Sequence, residues 1–252
     1  MNDEVLLEKP VEGVAVVTLN RPDKYNALRP EMLRLLGQRF RECAADDEVR
    51  AVVLTGAGKA FCAGLDLVAV GEGADFGGAT HLAPLRESPK PVVGAVNGVA
   101  VTGGLELVLA CDFRIGSPNA RFADTHSRVG ITPYWGLTAR LPQAVGQSWA
   151  RRMSFTGDFV DAELAVRIGL LTEVVPSEEL LPRAVQLATA IASTNRETQT
   201  RVRDIYNAAR DATGDVALEA ERRYLEQGLT LADPDAFADR RAATFARGKA
   251  QG

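Results

Sequence analysis

The sequence predicts an α/β domain that gives way to an all-helical C-terminal third. Short β-branched runs alternate with amphipathic stretches up to residue 176, and beyond residue 178 only helical patterns follow. The chain has 252 residues, 46% of them hydrophobic, which suits one globular domain or one domain with a smaller appendage.

Val14 to Leu19 is a β-branched run that ends at Asn20-Arg21-Pro22-Asp23, and reads as a strand followed by a turn. From Glu31 to Ala45 the apolar residues Met32, Leu35, Leu36, Phe40 and Cys43 recur at helical spacing. Pro30 stands just before them, where a missing N–H costs little. Val49 to Thr55 is a buried-type strand broken by Gly56-Ala57-Gly58, so a strand–helix–strand unit occupies the first 55 residues. Residues 71–80 are Gly- and Ala-rich without periodicity and read as a surface loop. Val92 to Val96 is a strand, Asn97-Gly98 a turn, and LELVLACD after Gly103-Gly104 a short buried helix. Phe113 to Ile115 suggests a further strand. Glu178–Ser193, Glu197–Ala212 and Val216–Leu231 read as helices, with Pro234 marking a break before a last one.

Composition excludes several function classes. Lys plus Arg is 29 against 33 Asp plus Glu, a net charge of -4 with no basic stripe, so a nucleic-acid partner is not expected. Cys43, Cys62 and Cys111 are widely spaced, and His81 and His126 are far apart, so neither a disulfide scaffold nor a metal site is expected. No apolar run approaches the roughly 18–20 residues of a membrane span. MNDEVLLEKP lacks the cationic-then-apolar order of a secretory leader. A cytoplasmic protein with reduced thiols is the expectation.

The glycine-rich turns fail the nucleotide fingerprints. Phe61 stands where GxGxxG needs glycine, and Gly104-Leu105 where a P-loop needs Lys and Ser or Thr. GxSxG is absent. Two turns share another property: AFCAGLDL at 60–67 and GVAVTGGLE at 98–106 each follow an extended segment and lead into a helix. Helix starts leave N–H groups unpaired, so two such turns brought together can hold one oxyanion. Tight packing turns are the other reading.

Five segments then fall in a familiar order: NRPDKYNAL at 20–28, AFCAGLDL at 60–67, PVVGAVNGVAVTGGLELVLACDFRI at 91–115, FADTHSRVGITPYWGLTARL at 122–141 and SFTGDFVDAELAVRIGLLTEVVP at 154–176. Each is moderately specific, and five in register are very specific. They cover most of residues 4–176, and the chain resembles the crotonase superfamily, the enoyl-CoA hydratase/isomerase group. The resemblance implies a crotonase (ClpP-like) spiral of ββα repeats over residues 1–193 and a C-terminal helical trimerisation region over 194–252. It implies a homotrimer or dimer of trimers and an acyl-CoA thioester substrate, as in fatty acid metabolism. No separate cofactor is implied, because coenzyme A is part of the substrate; no membrane partner is implied either.

The family's two enolate-stabilising N–H groups fall on Leu65 and Gly103. Its coenzyme A contacts fall on Arg21, Lys24, Tyr25 and Ala27, with Ala63, Asp66 and Leu67 flanking the thioester turn. Phe245 and Lys249 fall where a neighbouring subunit's tail reaches the nucleotide. Taken alone, Lys24 reads equally as an ordinary exposed lysine, and Phe245 as a packing residue.

The resemblance puts the first catalytic glutamate on Glu106. A Glu one turn into a buried apolar helix is costly without a partner or a task. The second is absent: its position falls on His126, with Gly130, Pro133 and Gly136 still in register. A mixed Glu106–His126 acid–base pair is one expectation, since imidazole titrates near neutrality. A histidine that only orders the pocket or contacts substrate is the other. Asp124, two residues away, is expected to point away from His126. Tyr134 and Trp135 are expected to reshape the acyl pocket or to pack the core, and His81 to be exposed. A hydratase-type lyase is thus the first reading. Isomerisation, thioester hydrolysis, decarboxylation, or non-catalytic acyl-CoA binding are the alternatives.

Overall fold

The computed structural model describes residues 4–76 and 82–226, with 239–240, 242–244 and 246 near the C-terminus. Residues 77–80 of the glycine-rich loop, and most of the segment expected to form a last helix, lie outside the described residues.

The predicted first unit is present as β2 (Val14–Leu19), α1 (Pro30–Ala45) and β3 (Ala51–Gly56), with β2 and β3 parallel. β1 (Val5–Val11) pairs antiparallel to β2 at the sheet edge. Its outer half is exposed and carries Glu8, Lys9 and Pro10, side chains suited to an unpaired edge. β5 (Val92–Val96), β7 (Phe113–Gly116) and β10 (Glu173–Val174) complete a six-stranded sheet in the order β1-β2-β3-β5-β7-β10.

A second sheet, in the order β4-β6-β8-β9, is built from β4 (Ala60–Cys62), β6 (Val99–Val101), β8 (Arg121–Ala123) and β9 (Val160–Asp161). From β3 to β8, consecutive strands therefore alternate between the two sheets. β3 leads to β4 and then to α2 (Leu67–Gly71). β5 leads to β6 and α4 (Gly103–Ala110). β7 leads to β8 and α5 (His126–Val129). Strands of successive turns pair in parallel within each sheet. This is a spiral of ββα repeats. α3 (Ala83–Arg86) is a short insertion between α2 and β5.

The central strands are apolar on both faces, as expected of a covered parallel sheet. Ala15, Val17, Val52, Leu54 and Val92 face the main core with Phe40, Phe61 and Phe122. Val14, Val16, Ala51, Val53 and Val93 face the other way. That outer face is covered by α8 (Leu180–Ala192), whose Leu180, Ala184 and Ala188 recur every fourth residue. Each phenylalanine of the main core is worth roughly 1.5–3 kcal/mol against exposure.

Beyond the spiral come α6 (Leu137–Thr156), kinked at Gly146, then α7 (Ala162–Arg167) and α9 (Arg196–Glu226). α9 runs unbroken where the sequence predicts two helices, Glu197–Ala212 and Val216–Leu231. One interior glycine costs a helix only about 1 kcal/mol, too little to end it at Gly214.

Candidate active site

The two glycine turns meet backbone to backbone. Gly64 sits at φ 90°, and a Cβ there would fall 2.1 Å from Thr102 Oγ1. A Cβ on Gly104 would fall 2.1 Å from the Cys62 carbonyl oxygen. Only glycine permits either approach. Thr102 itself has φ 47°, a strained value for a branched residue that turns the chain from β6 into α4.

Leu28 links the two turns. It forms a parallel bridge with Leu65, accepting from Asp66 N–H at 2.7 Å and donating to the Gly64 carbonyl at 2.8 Å. A Cβ on Gly103 would lie 3.7 Å from Leu28 Cδ1 and 2.9 Å from Trp135 Cζ3. Gly103 is the first residue of α4, where helix geometry leaves its N–H without a partner in the helix. Among the described residues, neither the Leu65 nor the Gly103 N–H donates to another backbone group.

Glu106 lies one turn further into α4 and is 4% exposed. Its Oε1 accepts from the backbone N–H groups of Trp135 at 3.0 Å and Leu137 at 3.2 Å. Its Oε2 faces His126 Nε2 at 3.9 Å. The sequence-predicted pair is therefore together in space and buried. On its other side, His126 Nδ1 meets Asp124 Oδ1 at 2.6 Å.

The placement of Asp124 corrects the expectation that it turns away. Residues two apart share one face even of an extended segment, and β8 itself ends at Ala123. Asp124 instead accepts the His126 backbone N–H at 3.2 Å, a local two-residue turn that brings both side chains together. Burial raises its pKa, but the His126 ring and a Ser154 hydrogen bond outweigh it and hold the carboxyl below its usual value. No group of three or more His, Cys, Asp or Glu among the described residues has the arrangement of a metal site.

The first loop is tied to the turn at residues 63–67. Arg21 Nη1 donates to Asp66 Oδ2 at 2.8 Å and to the Ala27 carbonyl at 2.9 Å. Burial pushes Asp66 up, yet Arg21 and the Val68 N–H, which Asp66 caps, pull it net below the usual carboxylate range. Lys24 and Tyr25 are exposed, Lys24 closing a 3-10 turn (Pro22–Lys24) and Tyr25 following it at φ 51°. Ala63 and Leu67 are half-buried beside them.

Asn26 is fully buried at φ 55°, and its Nδ2 lies in hydrogen-bond range of the carbonyls of Ala57, Ala60 and Phe61. Sequence reasoning missed it, although Asn is the residue that most readily takes a left-handed conformation after glycine. Trp135 is buried over Gly103, and Tyr134 packs edge-on to it at 5.6 Å. Burial and the nearby Glu106 and Asp75 push the Tyr134 phenol up to about 12. Tyr134 also joins Leu67, Val70, Val129 and Ile131 in a small apolar cluster. Phe245, Lys249 and His81 lie outside the described residues. A cavity of about 500 Å³ between Arg114, Arg203 and Tyr206 contains none of the expected site residues.

Comparison with known proteins gives a consistent result. A family model described as enoyl-CoA hydratase/isomerase matches residues 9–248. The short-chain-enoyl-CoA hydratase of Clostridium acetobutylicum is 44% identical over 200 residues, 76% of each chain. The crotonyl-CoA hydratase of Syntrophomonas wolfei is 35% identical and covers 96% of this chain and 98% of its own. Among solved structures, an enoyl-CoA hydratase from Mycobacterium avium superposes with a TM-score of 0.82 at 43% identity. That match covers 90% of this chain and 99% of the other.

Proposed function

The chain belongs to the enoyl-CoA hydratase/isomerase family of the crotonase superfamily, and on that premise we propose that it hydrates an enoyl-CoA thioester with Glu106 and His126 as its acid–base pair. It is an acyl-CoA enzyme of the lyase type. The observation that carries the finer reading is the 3.9 Å between His126 Nε2 and Glu106 Oε2. That span is too long for a direct hydrogen bond and suits one water shared by both groups.

The water oxygen bonds to the β-carbon while the pair takes one of its protons. Electron density moves through the double bond to the thioester oxygen. The Leu65 and Gly103 N–H groups stabilise this enolate, and each such donor is worth about 3 kcal/mol in the transition state. The enolate then collapses as the pair delivers a proton to the α-carbon. The product carries hydroxyl on one carbon and hydrogen on the other, and the pair ends as it began.

In this reading coenzyme A lies along the first loop, at Lys24, Tyr25 and Ala27, with Arg21, Ala63, Asp66 and Leu67 holding the thioester turn. Tyr134 and Trp135 wall the acyl group, and Phe245 and Lys249 reach the nucleotide of a neighbouring subunit. Among the described residues, no helix is long and apolar enough to cross a membrane, in keeping with a cytoplasmic enzyme.

The test is a mass-spectrometric screen of short and longer acyl-CoAs in deuterated water. It distinguishes hydration from α-exchange with isomerisation, thioester hydrolysis and decarboxylation. Glu106→Gln and His126→Ala are each expected to lower hydration kcat by about 10²–10⁴-fold. Unchanged turnover in His126→Ala overturns the pair. Tight binding of coenzyme A thioesters with no turnover of any of them overturns the enzymatic reading.

A further inference from the structure

We infer that Asp124 is the positioning residue of the site: it holds the proton of His126 on Nδ1 and thereby presents Nε2 to Glu106 and the reacting water. This rests on the reading of Glu106 and His126 as the acid–base pair.

Asp124 is 1% exposed and sits in the turn between β8 and α5. The strand before it is fixed, because the Ala123 carbonyl accepts the Thr102 N–H at 3.0 Å, next to the start of α4. One carboxylate oxygen, Oδ1, accepts the His126 backbone N–H and lies 2.6 Å from the ring Nδ1. Ser154 of α6 hydrogen-bonds the same carboxyl. An ionised carboxylate only accepts, so the proton between Asp124 and the ring belongs to Nδ1. In a neutral imidazole the lone pair is then on Nε2, the nitrogen that faces Glu106 Oε2.

The opposite tautomer would point an N–H at Glu106 and leave Nδ1 and Asp124 as two acceptors in contact, which burial makes costly. The same logic governs any histidine base oriented by a buried carboxylate. Among the described residues, Asp124 is the carboxylate that meets Nδ1. Glu106 approaches from α4, on the Nε2 side. Tyr134, before α6, is held neutral by its raised pKa. Arg140 of α6 lies at the Trp135 carbonyl. Arg128, on the same helix as His126, reaches the Thr156 carbonyl and Asp158. Asp75 acts on Tyr134 from the loop after α2.

Asp124→Asn keeps the shape and removes the charge. Its amide can donate to Nδ1, which moves the ring proton to Nε2. Hydration kcat is expected to fall by about 10²–10⁴-fold, with KM for the enoyl-CoA little changed, because the acyl-CoA contacts are elsewhere. The pH limb of kcat governed by His126 is expected to move to lower pH, since a neighbouring negative charge that favoured imidazolium is gone.

A direct readout needs no variant of Asp124. Nitrogen-15 NMR of the histidine rings, assigned with His81→Gln, is expected to show the neutral His126 ring protonated on Nδ1. An Nε2-protonated ring in the unmodified chain overturns the inference, whether or not Asp124→Asn folds. So does a folded Asp124→Asn with unaltered kcat and pH profile. If His126→Ala abolishes hydration while Asp124→Asn does not, only the role of Asp124 fails. If His126→Ala is itself silent, the acid–base pair fails first.

Discussion

At the residue scale, the site depends on contacts that only a hydrogen in place of a side chain allows. Gly64 combines φ 90° with a Cβ position 2.1 Å from Thr102 Oγ1 and 2.9 Å from the Val101 carbonyl oxygen. Gly64→Ala is therefore strained in its backbone and overpacked against the second turn. Denaturant unfolding is expected to show a loss of roughly 2–5 kcal/mol. Activity should fall even below the transition, because the displaced residue is the one before Leu65. A variant as stable and active as the parent would show that the two turns need not touch. The glycine turns at Gly64 and Gly103 were legible from their pattern, and Glu106 and His126 through the family resemblance. The contact of Asp124 with His126 was missed, although a spacing of two allows it; the turn after β8 is what closes it.

At the element scale, the first loop and α2 are joined through Asp66, which caps α2 and pairs with Arg21. Its folded-state pKa lies below the ordinary 3.8. By linkage, a depressed carboxylate contributes stability that is complete above the unfolded value and is lost as the pH falls through the folded one. Asp66→Asn is expected to lower Tm at pH 7 and to leave it nearly unchanged near pH 2. An equal Tm difference at both values would mean that the charge on Asp66 contributes nothing.

The elements themselves were unequally visible. β2, β3 and β5 carry runs of four or five buried residues and could be read directly. β4, β6 and β8 have three residues each, too few for a period to register. β4 and β6 fall in segments read as glycine turns, yet with β8 and β9 they form the second sheet.

At the scale of the whole molecule, α9 carries an exposed apolar stripe among the described residues. Val202 is 47% exposed, Ile205 70% and Tyr206 74%, at positions three and four residues apart on one helical face. We propose that a further copy of the chain covers it in a trimer or dimer of trimers. Sedimentation is expected to give three or six copies of the 27.0 kDa chain. Ile205→Asp is expected to shift the protein toward monomer without unfolding it, since the residue packs little within its own chain. A monomeric parent would remove the assembly from the account.

The sequence by itself determined which chemistry the chain is suited to. Glycines at two helix starts, a glutamate inside an apolar helix and a histidine in the second loop are residue types with few interpretations once their order is known. It also pointed to the α/β class, because apolar strand runs alternate with amphipathic stretches up to residue 176. The tertiary structure decided what the groups do to one another. It split the apolar strands between two cores, gave α8 to the outer face, and packed the glycine turns against each other. It also set His126 between two carboxylates contributed by different turns of the spiral. Apart from the contact of Asp124 with His126, those outcomes depend on residues 20 or more apart in sequence, as Glu106 and His126 are. Local pattern fixes a residue's own backbone, whereas a hydrogen bond across the spiral depends on where every intervening strand ends.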